Sequence, residues 1–169
     1  GVQVRRAHAG ESFMGLDGVA RNLVDDDLLI ADAHGPLALA GVIGGQRAQV
    51  IERTTRVLVE AAYFTPAGVR RTAKRHDLHT EASHRFERGC DPNRTLEEAL
   101  TRCAALIVEL GGGQVRRGTT GMYPKVIEPV EISFRAARAA ALMGVPARSV
   151  DDAVCARVLT ALGLELATR

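Results

Sequence analysis

The sequence has no tryptophan, and aromatic residues make up only 4% of it. A stacking platform for bases is therefore disfavoured, and a core has to be built from Ala, Val, Leu and Ile. Cysteine is scarce too. Cys90, Cys103 and Cys155 are odd in number and far apart, which excludes zinc-ligand spacing and a disulfide framework. All three read as reduced thiols, Cys103 at a helix-core position, and that points to the cytoplasm. Neither a signal peptide nor a run of membrane-spanning length is present. The phosphate-loop ending "GK[ST]", the dinucleotide fingerprint "GxGxxG" and the nucleophile elbow "GxSxG" are all missing. Ser83, His84 and Asp91 thus have no support as a triad. His79 and His84 lack the cysteines or dense carboxylates of a metal site, and no metal is expected. An initiator Met is absent, and "GVQVRRAHAGE" reads as mid-strand, as in a fragment of something longer.

What is present is an ordinary globular composition, with 46% hydrophobic and 25% charged residues in 169 positions. That length suits one domain, or one domain plus part of another. The net charge of +2 is too small to identify a nucleic-acid binder, but its distribution is uneven. Arg70, Arg71, Lys74, Arg75, Arg85, Arg88 and Arg94 crowd one segment, opposed by Asp77, Glu81, Glu87 and Asp91. This is either a solvated helix surface or a patch for an acidic polymer.

Strands come first and helices follow, which argues an α+β fold. "ESFMGLDGVARNL" has two strand-like arms around the turn signal Asp17-Gly18. "DLLIADAHGPLALAGV" has two apolar arms around His34-Gly35-Pro36, and Pro36 belongs at the turn or a strand end. "VLVEAAYF", residues 57–64, reads as a further strand. Helices are expected at "TPAGVRRTAKRH", with Thr65 as N-cap and Pro66 first, and at "TEASHRFERG", capped by Thr80 and stopped by Gly89. A third is expected in "DPNRTLEEALTRCAALIVELGGG", with Asp91 as cap and Leu96, Leu100, Cys103, Ile107 and Leu110 on one face. Residues 114–129 look irregular or short-stranded. A second unit then starts with the strand "VEISF" and two helices. Ser149 and Asp152 are spaced as a capping box for the last one, whose apolar stripe is Val150, Val154, Val158 and Leu162.

Two features raise a chemical question. Glu60 interrupts an apolar run and shares a strand face with Leu58 and Ala62. A buried, unpaired carboxylate costs several kcal/mol or takes up a proton. Glu60 therefore either faces water or hydrogen-bonds a ligand. "GVIGG", residues 41–45, permits positive φ and close approach of a backbone or a ligand, but as a lone signal it is weak and a tight turn is the plainer account.

The stretches "DLLIADAHGPLALAGVIGG", "VLVEAAYFTPAGVRRTAKRHDLHTEASHRFERGCDP" and "LIVELGGG" resemble the bacterial phenylalanyl-tRNA synthetase β-subunit family, in its central editing module. The resemblance covers residues 1–128. Residues 129–169 look like the opening of the small helical domain that follows it. A β-rich, barrel-like core with flanking helices, then a short strand-helix-helix segment, is what this implies. In the family the module hydrolyses Tyr wrongly attached to phenylalanine tRNA, and a glutamate at the position of Glu60 accepts the tyrosine hydroxyl. Gly44, Thr80 and Ala82 correspond to residues lining the amino-acid pocket. Charge suggests in addition that the helix carrying Arg70, Arg71, Lys74 and Arg75 faces tRNA. No catalytic nucleophile is evident, so the water-activating group stays unknown.

The resemblance implies phenylalanine tRNA and an α subunit as partners in an α2β2 assembly. ATP and Mg2+ are then used by the α subunit, and no cofactor binds this part. The family's "GQPxHAFD"-like stretch, whose histidine contributes to the site, would precede residue 1. The site is therefore expected to be incomplete, and activity of the isolated fragment stays open. The rival readings are a non-catalytic scaffold or tRNA-docking module and, more remotely, a nucleotide-binding domain using "GVIGG".

Overall fold

A computed structural model describes residues 1–93 and 95–167. Arg94, one of the basic residues above, lies outside the described residues. The chain divides into two compact units, Gly1–Ile127 and Glu128–Arg169.

The first unit is built on an antiparallel sheet in the order β1-β4-β5-β6, from Gln3–Arg6, Leu28–Asp32, Gly35–Leu39 and Ile43–Gly44. β4 is central, and its run Leu29, Ile30, Ala31 is buried throughout. Such a continuous apolar strand requires cover on both faces. The β4–β5 hairpin turns at His34, and Pro36 lies near the start of β5 opposite Ala31, where its missing N–H does least harm. A separate ribbon pairs β2 (Ser12–Met14) with β3 (Ala20–Asn22) across the Asp17-Gly18 turn. Gly18 there has φ +75, a conformation that glycine adopts without steric cost.

Helix α1 (Pro66–Arg75) buries Val69, Thr72 and Ala73. Val69 and Ala73 join Leu29, Leu39, Val42, Phe64 and Leu78 in one core cluster. α1 starts as expected, with Thr65 at the N-cap and Pro66 first, although the Thr65 side chain makes no capping bond. α2 (Glu81–Phe86) follows, capped by Thr80.

The architecture is α+β, and the first unit differs from expectation in four ways. First, the strands do not close into a barrel. They make an open four-stranded sheet and a two-stranded ribbon: among the described residues β1 has β4 as its one ladder neighbour, and β6 is only two residues long. Second, residues 57–64 form no strand: no ladder partner lies beside them among the described residues. Third, α3 runs Thr95–Gly111, later than Asp91 would have capped it. The Asp91 carboxylate instead accepts from Asn93 N–H at 2.8 Å, and its carbonyl accepts from the Thr95 hydroxyl at 2.7 Å. Such local bonds compete with helix initiation. Fourth, Cys103 is exposed, as α3 buries none of its described residues.

The second unit has α4 (Ala136–Met143) and α5 (Asp152–Ala161). Gly144, at φ +69, closes α4 in the left-handed conformation. Asp151, and not Ser149, caps α5 by accepting from Val154 N–H at 2.8 Å. The expected strand at residues 130–134 is absent. Val130, Ile132 and Phe134 stay exposed with no neighbouring strand among the described residues, and an isolated strand has nothing to bond to.

Candidate functional site

Thr80 carries two jobs on one hydroxyl. Its oxygen accepts from Ser83 N–H at 3.0 Å, and its proton goes to the Val42 carbonyl at 2.5 Å. Ser83 returns the cap, accepting from Thr80 N–H at 3.0 Å. This reciprocal box starts a helix of only six residues, one too short to hold itself by propensity. The bond to Val42 ties the N-terminus of α2 to the glycine-rich turn. Ala82 sits half-buried in the first turn of α2.

The turn is shaped by sterics. At Gly45 a Cβ would meet the Leu37 carbonyl oxygen at 2.6 Å and Phe13 Cε2 at 2.9 Å, so only glycine fits beside that backbone. At Gly41, φ is +70 and a Cβ would lie 2.8 Å from Phe64 Cδ2. At Gly44 a Cβ would meet Leu16 Cδ1 at 2.8 Å. The room beside Gly44 is thus bordered by a flexible side chain of the β2–β3 hairpin.

The segment bearing Glu60 is anchored downstream. Phe64 packs edge-on against Phe86 of α2, with centroids 5.0 Å apart at 62°. The Cys90 thiol reaches the Ala62 carbonyl at 3.9 Å. Glu60 itself is exposed as a residue, yet surrounding protein desolvates its carboxyl and pushes its pKa up. No hydrogen-bond donor or cation among the described residues faces that carboxyl.

Three segments therefore converge through Thr80, Gly41 and Phe64, and they carry Glu60, Gly44, Thr80 and Ala82 between them. An open hollow of about 400 Å³ at α2 includes Thr80, His79 and His84 but none of the other three. No cluster of metal-ligating side chains occurs among the described residues.

Sequence reading missed a heavily bonded, buried carboxylate. Asp27 is fully buried. It accepts from Val24 N–H at 3.0 Å, the Thr72 hydroxyl at 3.1 Å and Arg75, and meets His76 Nε2 at 2.7 Å. Burial pushes its pKa up, but the Val24, His76 and Arg75 interactions outweigh this and the net shift is downward. Next to it, hydrogen bonds from Arg71 and Arg75 hold the Asp26 carboxyl down at about 2. The sequence signal was the acidic run at residues 25–27, but its partners on and just after α1 lie 45 to 49 positions away. Arg71 and Arg75, expected to face tRNA, are thus engaged within the fold. Arg70 and Lys74 are exposed and form no ion pair among the described residues.

Residues 1–112 match the B3/4 domain family. The phenylalanine–tRNA ligase beta subunit of Anaeromyxobacter dehalogenans (strain 2CP-C) is 48% identical over 164 residues, which is 97% of this chain and 20% of that protein. That of Geobacter sulfurreducens is 49% identical over 144 residues, 85% of this chain and 18% of its own. That of Porphyromonas gingivalis is 40% identical over 166 residues, 98% of this chain and 20% of its own. The chain spans about a fifth of the length of these curated relatives. It belongs to the B3/4 domain family, in the form found in phenylalanine–tRNA ligase beta subunits.

Proposed function

We propose that this chain is the editing module of a phenylalanine–tRNA ligase β subunit, which hydrolyses the ester of Tyr mistakenly joined to phenylalanine tRNA. The observation that carries the reading is the Glu60 carboxyl, desolvated and unpartnered among the described residues. A synthetic pocket shaped for Phe rejects an analogue with one added hydroxyl only weakly. A second site that requires that hydroxyl corrects the error. The tyrosine O–H donates to Glu60 and compensates its desolvation, whereas Phe leaves the carboxylate desolvated and unpaired. Discrimination then follows from a bond that only the wrong amino acid makes.

The chemistry is attack of water on the ester carbonyl, with expulsion of the terminal ribose oxygen. Donors positioned around the developing oxyanion lower the barrier. Glu60 acts on specificity, at the side-chain end of the substrate. Water is activated by positioning, with the terminal hydroxyls of the tRNA as candidate participants. Thr80, Gly44 and Ala82 shape the pocket, Thr80 through the tether from α2 to the turn. The tRNA face narrows to Arg70 and Lys74. In this reading the partners are phenylalanine tRNA and the α subunit, where ATP and Mg2+ serve amino-acid activation.

Arg70 and Lys74, exposed on α1 with no ion pair among the described residues, also favour a second reading, a tRNA-docking module without hydrolytic activity. One experiment separates the two. In the intact αβ ligase, release of Tyr from mischarged phenylalanine tRNA is followed with and without Glu60→Ala. Release falls by roughly tenfold to a hundredfold, the worth of a hydrogen bond to a charged group, while Phe charging is retained. Unchanged Tyr release returns Glu60 to the surface and leaves docking as the better account.

A further inference from the structure

A carboxylate has about four acceptor sites, and those of Asp27 are all taken. Oδ1 accepts from the Thr72 hydroxyl at 3.1 Å and from Arg75, while Oδ2 accepts from Val24 N–H at 3.0 Å and meets His76 Nε2 at 2.7 Å. Thr72 and Arg75 lie on α1 and His76 is its C-cap. The Asp27 backbone is fixed too, with its N–H on the Val24 carbonyl at 2.9 Å and its carbonyl on Ala7 N–H at 2.8 Å. Asp27 directly precedes the central strand β4. Burying such a charged cluster adds little net stability over apolar packing. What it supplies is direction: α1 satisfies Asp27 in one rotation and at one height along the sheet.

α1 also links the candidate pocket residues. Glu60 lies just upstream of it and Thr80 just downstream. In its first turn Val69 closes on the glycine-rich turn, where a Cβ at Gly41 would lie 3.0 Å from Val69 Cγ2. Past its end, Asp77 takes the left-handed conformation at φ +51, and the N–H of buried Leu78 returns to the Ala73 carbonyl at 2.9 Å, a closure typical of helix C-termini. Thr80 then bonds to the Val42 carbonyl at 2.5 Å. Every step from Asp27 to Thr80 is thus held, and a roll or slide of α1 on Asp27 shifts both of its flanks against the turn that carries Gly44. We infer that Asp27, through Thr72, Arg75 and His76, is a positioning group for the editing reaction, which sets the placement of Glu60 relative to Thr80 and touches no substrate itself. The inference rests on the editing reading of Glu60.

A purely stabilising role predicts something different. Loss of folded protein lowers release of Tyr and of Phe by the same factor. Displacement of Glu60 relative to the ester changes the ratio of the two, because the bond to the tyrosine hydroxyl is what separates them.

The test uses the intact αβ ligase with Thr72→Val, which removes one donor to Asp27, Thr72→Ser, which keeps it, and Glu60→Ala as the reference. The readout is kcat/KM for release of Tyr from mischarged phenylalanine tRNA, divided by that for release of Phe from the correctly charged tRNA. In Thr72→Val this ratio falls by roughly tenfold or more, the scale of a small misplacement, while Phe charging and amide exchange in β4 stay as in the parent. Thr72→Ser restores the ratio. Should Thr72→Val fail to fold, His76→Gln, which loosens the other carboxylate oxygen, is held to the same outcomes. An unchanged ratio, with Glu60→Ala lowering it, overturns the inference and leaves the editing reading standing. A ratio unchanged in Glu60→Ala overturns the editing reading itself, and the inference with it.

Discussion

Two acidic side chains in the first unit show opposite solutions to the same problem. Asp27, beneath α1, is fully buried and accepts or shares four hydrogen bonds. Glu60, in the extended stretch before α1, is desolvated with none among the described residues. The Asp27 carboxyl lies below its ordinary pKa and the Glu60 carboxyl above. Desolvation acts on both, and partners decide the sign. The Asp27 region is complete: sheet, α1 and their polar link satisfy one another. The Glu60 region is open: no donor or cation among the described residues offsets the desolvation of its carboxyl.

The largest break in this comparison is Asp27→Ala. Removing one partner from a buried charged cluster leaves Arg75 and His76 facing a void, and a loss of about 3 kcal/mol is expected. Urea unfolding measures it. A loss below about 1 kcal/mol would mean that the cluster is solvated and does not hold α1 to the sheet.

Thr80→Val comes next. It removes the cap of α2 and leaves the Val42 carbonyl without its donor, at a cost of about 2 kcal/mol. Thr80→Ser keeps both bonds and should unfold within about 0.5 kcal/mol of the parent. Equal behaviour of Val and Ser at this position would show that the tether contributes nothing.

The smallest effect sharpens the comparison through pH. Asp26 is depressed from 3.8 to about 2, so its contribution is fully present above pH 4 and is lost as pH falls toward 2. Asp27 shifts in the same direction. Glu60 has the opposite sign. Its folded pKa is raised, so the fold is favoured while Glu60 is protonated and loses that advantage as pH rises from about 4.5 through the folded value. Glu60→Gln should therefore raise stability slightly at pH 7, by less than about 0.5 kcal/mol, and leave it unchanged at pH 4. A thermal melt at the two pH values checks this.

Much of the fold was legible because its signals are local. Asp17-Gly18 marked one hairpin and His34-Gly35-Pro36 the other. Thr65-Pro66 and Thr80 marked two helix starts. Where a partner elsewhere in the chain decides, the sequence misled. Residues 57–64 and 130–134 have strand composition but no ladder neighbour among the described residues. Asp91 closes a turn where a cap was expected. The site divided in the same way. Glu60 stood out as a charge in an apolar run. The engagement of Arg71 and Arg75 by Asp26 and Asp27 was invisible, because it joins positions 45 to 49 residues apart.

The contrast between the two carboxylates is most directly tested by a carbon-13 NMR titration of the Glu60 and Asp27 side chains. The account predicts that Glu60 titrates above its ordinary 4.5 and Asp27 below its ordinary 3.8. A Glu60 carboxyl titrating at or below 4.5 would mean that it is solvated or already partnered, and would contradict its role as the waiting acceptor for a tyrosine hydroxyl.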